Sequence, residues 1–446
     1  MAEPASYRLF RTLARFLTGL FYRRAEVIGL ERVPAEGALV VAANHQQGLM
    51  DGVLLASAFP RRLRPIAKAP LFRYPIIGPL ARLAGAIPVH RRQDQPGTAA
   101  DNTAMFASAR GALAAGDALL IFPEGVSQPE PTLMPLRTGA ARLVLEGGSP
   151  PPTLLPVGLM FHEPGTFRVG SAIVLIGEPV PVGEPEGAGE DAVRRLTARL
   201  DAALRQLIVE ARDRHTLDLV HAAEEIWRAE MPDVAADPMA RARWRQRAAR
   251  AHRYLARAEP VRLGALRNRL ERYVAELAGA GLTDRDLSAG YRLRAVLRYA
   301  LRQGLALIVG LPLALWGIVN HVVPYQLTAL VIRALRPDAD VESTYKVVVG
   351  VALYPLCWAL QGWLAWRLLG GLALAVFVVS LLPTGFFALS WTARLDRVRR
   401  DTRGLLTVLA DRSLRPHLLE RRRAIMGEFQ DLLARVPERQ LEGASS

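Results

Sequence analysis

The sequence predicts an α/β fold, a mixed and largely parallel sheet flanked by helices, followed by a helical region and C-terminal transmembrane helices. Short β-prone runs at residues 38–43, 87–90, 118–122, 154–161 and 172–176 alternate with amphipathic stretches. Strands that alternate with helices in this way favour parallel pairing through helical crossovers. Between residues 191 and 278 the chain turns to long Ala, Arg, Glu and Leu patterns of helical period. Beyond residue 304 come apolar runs of about 20 residues, the length that spans a bilayer.

The 446 residues are 51% apolar and 22% charged, long enough for two or three domains and too apolar for a disordered chain. Net charge is +15, and Lys68 and Lys346 are the only lysines, so the excess is arginine. Such a balance calls for a polyanionic partner. With no nucleic-acid motif and a strong membrane signal, anionic membrane lipids are the expected partner and nucleic acid is not. A single cysteine, Cys357, excludes an internal disulfide and a multi-cysteine metal site. The first basic and apolar residues interleave, which argues against a secretory signal.

From Tyr7 to Phe21, apolar residues recur at intervals of three and four with Arg8, Arg11 and Arg15 between them. This predicts a basic amphipathic helix over residues 1–24, suited to a membrane interface. The next run ends in Asn44-His45-Gln46-Gln47-Gly48-Leu49-Met50-Asp51, a strand, a polar turn and the start of a helix. On one continuous helix His45 and Asp51 would lie about 240° apart. They meet only if His45 sits in the turn and Asp51 in the first helical turn. A carboxylate so placed holds an imidazole in one tautomer while the other ring nitrogen takes a proton from a hydroxyl. The strand at 87–90 delivers Arg91 and Arg92, whose planar forks suit phosphate oxygens. The strand at 118–122 ends in Pro123-Glu124-Gly125, a carboxylate able to accept from substrate hydroxyls beside a glycine that admits close backbone approach. The run at 154–159 carries Pro156, which belongs at a sheet edge or near a strand end.

Taken together, Asn44-His45 with Asp51, the strand leading to Arg91, Phe122-Pro123-Glu124-Gly125, and Pro156-Val157-Gly158 resemble, in order, the four sequence blocks of PlsC-type glycerolipid acyltransferases. The resemblance covers residues 25–182. It implies a glycerol-phosphate acyltransferase-like fold and transfer of a fatty acyl group from a thioester, acyl-CoA or acyl-carrier protein, to a glycerol phosphate or lysophospholipid, with no further cofactor and no metal. It also implies that His45 is the general base, that Asp51 orients it, and that Arg91 and Glu124 bind the acceptor. Gly125, Lys68 and Arg92 join them by position. Five residues separate His45 from Asp51 where the family usually has four, and Val126-Ser127 replace the usual threonine and arginine. Both departures resemble the glycerol-3-phosphate and dihydroxyacetone-phosphate acyltransferase branch. Glycerol-3-phosphate is therefore the expected acceptor, with lysophosphatidate the alternative; an inactive scaffold or lipid-binding protein is the reading from another class.

Residues 183–303 read as a helical region, with a dense basic segment at Arg241, Arg243, Arg245, Arg247 and Arg250. Apolar runs at 305–323, 347–366 and 368–391, with a shorter one at 325–335, make 304–392 the membrane part. Arginines on both outer flanks predict cytoplasmic ends and an even number of crossings: a hairpin over 347–391 and a helical or re-entrant pair over 304–335 broken around Pro324. Residues 393–446 return to a basic amphipathic tail. The expected product is an integral membrane protein with its catalytic domain on the cytoplasmic face.

Overall fold

The computed structural model describes residues 3–90, 102–162, 171–182, 189–211, 214–284, 287, 293–338, 341–411 and 413–442. They form two compact units, Met1–Arg214 with Pro337–Val348, and His215–Arg336 with Val349–Ser446.

The first unit is built on seven strands, β1 (Arg24–Ile28), β2 (Leu39–Ala43), β3 (Leu63–Lys68), β4 (Ile87–Val89), β5 (Ala118–Ile121), β6 (Thr153–His162) and β7 (Ser171–Ile176). Their order is β1-β7-β6-β2-β5-β3-β4, and every neighbouring pair is parallel except β6 with β7. Helices α1 (Ala5–Phe21), α2 (Leu49–Ala58), α3 (Ile77–Leu83), α4 (Thr103–Ala114), α5 (Gly139–Leu145) and α6 (Glu190–Leu207) accompany it. β2 is central and wholly buried, which is why it reads as an unbroken apolar run. Leu39, Val41 and Ala43 face a core shared with α1 and α2. Val40 and Ala42 face a second core shared with α4, α5 and α6.

Two strands escape the sequence pattern. β1 is an edge strand with charge at Arg24 and Glu26, and β3 carries Arg64, Pro65 and Lys68 on a half-buried path. Neither shows an apolar run for periodicity to find. Pro156 lies in an interior strand, paired with Ala42 of β2, and stands just outside the β6–β7 ladder, whose last pair is Val157 with Ile176; there Gly177 N donates to Pro156 O at 2.9 Å, a bond that needs no N–H from the proline.

Helix α1 forms as its periodicity predicts but spends its apolar face differently. Tyr7, Phe10, Ala14, Leu17 and Phe21 are buried in the core against α2 and the sheet, leaving Leu9 and Phe16 outward. The expected interface helix is thus an integral wall of the domain.

In the second unit, α7 (Arg214–Glu230), α8 (Pro238–Ala258), α9 (Pro260–Ala280) and α13 (Leu414–Ala434) share a core that includes Ile226, Leu255, Leu270, Tyr273, Leu418, Ile425 and Leu432. The tail helix α13 is therefore a packed element. Part of the basic segment is structural too: Arg245 pairs with buried Glu224, and Arg250 donates to Leu441 O. Among the described residues, three helices are long and apolar enough to cross a membrane, within α10 (Leu293–Leu335), α11 (Glu342–Leu369) and α12 (Gly371–Ala410). α10 runs unbroken through Pro312 and Pro324, in place of the helical or re-entrant pair expected to break around Pro324. It lies close on α12 because Gly317 lets the backbone reach Thr384 O, where a Cβ would stand 2.2 Å away. Trp316 Nε1 donates to Ser380 Oγ at 2.9 Å and Trp391 Nε1 to Leu307 O at 3.0 Å across the same pair.

Candidate active site

The site forms at the carboxyl ends of β2 and β5, where open α/β sheets present loops to ligands. The β2–β6 ladder ends at Ala43 and Val157. Beyond it, the buried Asn44 side chain takes over the role of a peptide group: Nδ2 donates to Leu159 O at 3.0 Å and Oδ1 accepts from Leu159 N at 2.6 Å. The chain then leaves the sheet at His45.

His45 Nδ1 lies 2.9 Å from Asp51 Oδ2. The same oxygen accepts the backbone amides of Gln46 at 2.7 Å and Gln47 at 2.9 Å. Asp51 is fully buried in the first turn of α2, so one carboxylate oxygen organises both the imidazole and the turn leading to it. Gly48, at φ 54°, carries the chain from the turn into α2. Tyr22 OH donates to Gln47 Oε1 at 3.4 Å, and burial, with the nearby Asp51 carboxylate, pushes that phenol well above its ordinary range. The His45 ring stacks on Phe122, with centroids 4.0 Å apart and planes at 14°. That stack and the Asp51 contact leave Nε2 as the ring nitrogen for chemistry.

Glu124 departs from expectation. It is 4% exposed and turned inward: Oε1 accepts from His45 N at 2.8 Å and Oε2 from Met134 N at 3.0 Å. Burial raises its carboxyl, and the Met134 and His45 amides pull it part of the way back. Instead of facing an acceptor hydroxyl, it ties the β5 loop to the β2 loop, with Gln128 N donating to His45 O at 3.0 Å beside it.

A cavity of about 780 Å³ is lined by His45, by Phe10, Leu13 and Leu17 of α1, by Val53 and Ala56 of α2, and by Ile77, Leu80, Met105 and Phe106. Polar side chains in its lining include Lys68, His90, Asn102, Ser127, Arg137 and Thr344, with Gly125 beside them. Gly125, at φ 75°, is where Arg137 crosses the β5 loop; a Cβ there would lie 2.5 Å from Arg137 Nε. Sequence reading passed over Arg137, although it stands at the start of a helix directly after the third block. Arg91 and Arg92 lie outside the described residues. Among the described residues no group of three or more His, Cys, Asp or Glu is placed to hold a metal ion.

The acyltransferase family profile matches residues 24–160, the span that contains β1 to β5, most of β6 and the His45–Asp51 pair. Residues 24–160 form an acyltransferase domain. Glycerol-3-phosphate O-acyltransferase 2 of Saccharomyces cerevisiae is 29% identical over 28% of this chain and 18% of its own. The 1-acyl-sn-glycerol-3-phosphate acyltransferase of Bacillus subtilis is 29% identical over 35% of this chain and 73% of its own. The crystal structure of the 1-acyl-sn-glycerophosphate acyltransferase PlsC of Thermotoga maritima matches 45% of this chain and 79% of its own, with 20% identity and a TM-score of 0.34. The chain spans less than half the length of the fungal relatives it matches. The acyltransferase domain thus coincides with the part of the first unit that carries the candidate site, and the helices from α7 onward lie outside the matched span.

Proposed function

We propose that the protein is a membrane-bound O-acyltransferase of phospholipid biosynthesis that transfers a fatty acyl group from a thioester to glycerol-3-phosphate. The observation that carries this reading is the 2.9 Å contact of His45 Nδ1 with Asp51 Oδ2 at the wall of an apolar cavity that also holds cations. With Nδ1 engaged, His45 Nε2 takes the proton of the acceptor hydroxyl as its oxygen attacks the thioester carbonyl. The transient oxyanion collapses, the C–S bond breaks, and the proton passes from His45 to the departing thiolate. The products are the new oxygen ester and a free thiol. Apolar walls from α1, α2, α3 and α4 suit an acyl chain, and Lys68 and Arg137 suit the acceptor's phosphate. Arg91 and Arg92 keep the phosphate role their residue type suggests. Glu124 is a positioning residue for the β2 loop. Transfer is direct, with both substrates bound together and no acyl group carried on the protein.

The five-residue spacing and Ser127 favour glycerol-3-phosphate, as does likeness to a relative named for that reaction. Lysophosphatidate is the second reading, because the Bacillus subtilis relative named for it is matched over most of its length. The catalytic unit lies on the cytoplasmic face, with Arg298 and Arg302 at the start of the first apolar helix following the positive-inside tendency. Anionic lipids are the surface it works on. Radiolabelled acyl-CoA supplied with glycerol-3-phosphate, and in parallel with lysophosphatidate, tests the proposal. Label in lysophosphatidate is the expected product of the first arm. Label only in phosphatidate from the second selects the alternative acceptor. Absence of product in both arms, with acyl-carrier protein thioester as well as acyl-CoA, overturns the enzyme in favour of a scaffold.

A further inference from the structure

We propose that Ser343 and Thr344, at the head of α11, are positioning residues of the His45–Asp51 turn. The inference rests on the reading of His45 as general base.

Helix α2 begins without a cap of its own. Its N-cap residue is Gly48, which has no side chain to accept a bond from the first amides. Thr344 Oγ1 supplies that acceptor, taking Leu49 N at 3.1 Å from 295 residues away in sequence. On the other side of the glycine, Ser343 Oγ donates to Gln47 O at 3.2 Å. The two hydroxyls therefore hold the residues on either side of Gly48. Gln47 N is itself a donor to Asp51 Oδ2, so the clamp acts on a residue that also bonds the carboxylate.

Burial makes these bonds selective. Ser343 is 1% exposed and Thr344 9%, so water does not readily replace either hydroxyl. One turn on, Val347 packs against the core of β2, α1 and α2, and Thr344 lines the same cavity as His45. Glycine has the freest backbone of any residue. With its neighbours released, the turn spends less time in the geometry that presents the imidazole to a hydroxyl, and turnover falls while substrate affinity stays.

The test uses the full chain in vesicles, with the acceptor that the labelling assay selects. Thr344→Val keeps the shape of the side chain and removes the acceptor oxygen; Ser343→Ala removes the donor. The double variant is expected to lower kcat about tenfold with KM for both substrates close to wild type, measured well below its melting midpoint, which the lost cap lowers. Thr344→Ser, which restores the oxygen, is expected to keep near-wild-type kcat. A double variant with wild-type kcat overturns the proposal, as does a loss that Thr344→Ser shares in full. If the double variant is unfolded at the assay temperature, Ser343→Ala alone decides, since Gln47 O still accepts from Met50 N: a lowered kcat at unchanged midpoint is expected and wild-type kcat overturns the proposal. His45→Ala is measured alongside: activity in it defeats the general-base reading, whereas its inactivity beside fully active clamp variants defeats this inference alone.

Discussion

The backbone amide of His45 donates to Glu124 Oε1 at 2.8 Å, joining two loops that leave the sheet 79 residues apart. Through that bond the third sequence block supports the first. Glu124→Gln keeps one oxygen but replaces the other by a donor that must face an N–H, from His45 or from Met134. An expected drop in kcat of about tenfold to a hundredfold follows from a buried unmatched polar pair, read by steady-state kinetics. A larger effect on acceptor KM than on kcat would instead favour direct substrate contact.

The same carboxyl sets a pH dependence. Burial, the largest cause, lifts Glu124 above its ordinary 4.5 in the folded protein. A raised acid binds more protons folded than unfolded, so its favourable contribution is complete below 4.5 and is lost as pH rises through the folded value. The stability of wild type relative to Glu124→Gln should therefore fall across that window and level off above it. Melting midpoints of the two proteins over an acid pH series check this, and a difference that rises with pH contradicts it.

Asp51→Asn keeps an oxygen for the three donors at Oδ2 but removes the charge that steadies a protonated imidazole. kcat should fall about a hundredfold or more, with KM little changed. His45→Ala should abolish acyl transfer while leaving the melting midpoint near wild type. Full activity in His45→Ala would sink the mechanism.

Gly125→Ala places a Cβ at φ 75° and 2.5 Å from Arg137 Nε. Backbone strain alone costs about 1–2 kcal/mol, visible as a lower melting midpoint, and the guanidinium must swing away. Arg137→Ala should raise KM for the phosphorylated acceptor without the stability loss. Equal KM in both variants and wild type would remove Arg137 from the phosphate site.

Asn44→Ala leaves Leu159 N–H and C=O, both buried, without their partners. The expected destabilisation is about 2–4 kcal/mol, measured by thermal melting, with activity lost in step with folding. Asn44 would then be a structural member of its block.

Much of this was legible in the chain. Buried strands such as β2 and β5 are apolar runs because both faces of a parallel sheet are covered, and the helices over α6 to α9 repeat at helical period because one stripe of each is buried. The pairing of His45 with Asp51 was also within reach, since a strand, turn and helix start leave those two residues few other places to go. β1 and β3 were not, because edge and half-buried strands need no apolar pattern.

What the sequence determined by itself is local: which segments are strand, helix or apolar span, and which reactive residue types stand at the strand ends. Only the tertiary structure decided partnership. It turned the α1 apolar face inward, made Glu124 a brace between loops, laid Arg137 over Gly125, and brought the hydroxyls of Ser343 and Thr344 to Gln47 and Leu49. The physical reason is that periodicity reports that a face is buried or a polar group is present, whereas the groups it meets are set by packing between residues far apart in the chain.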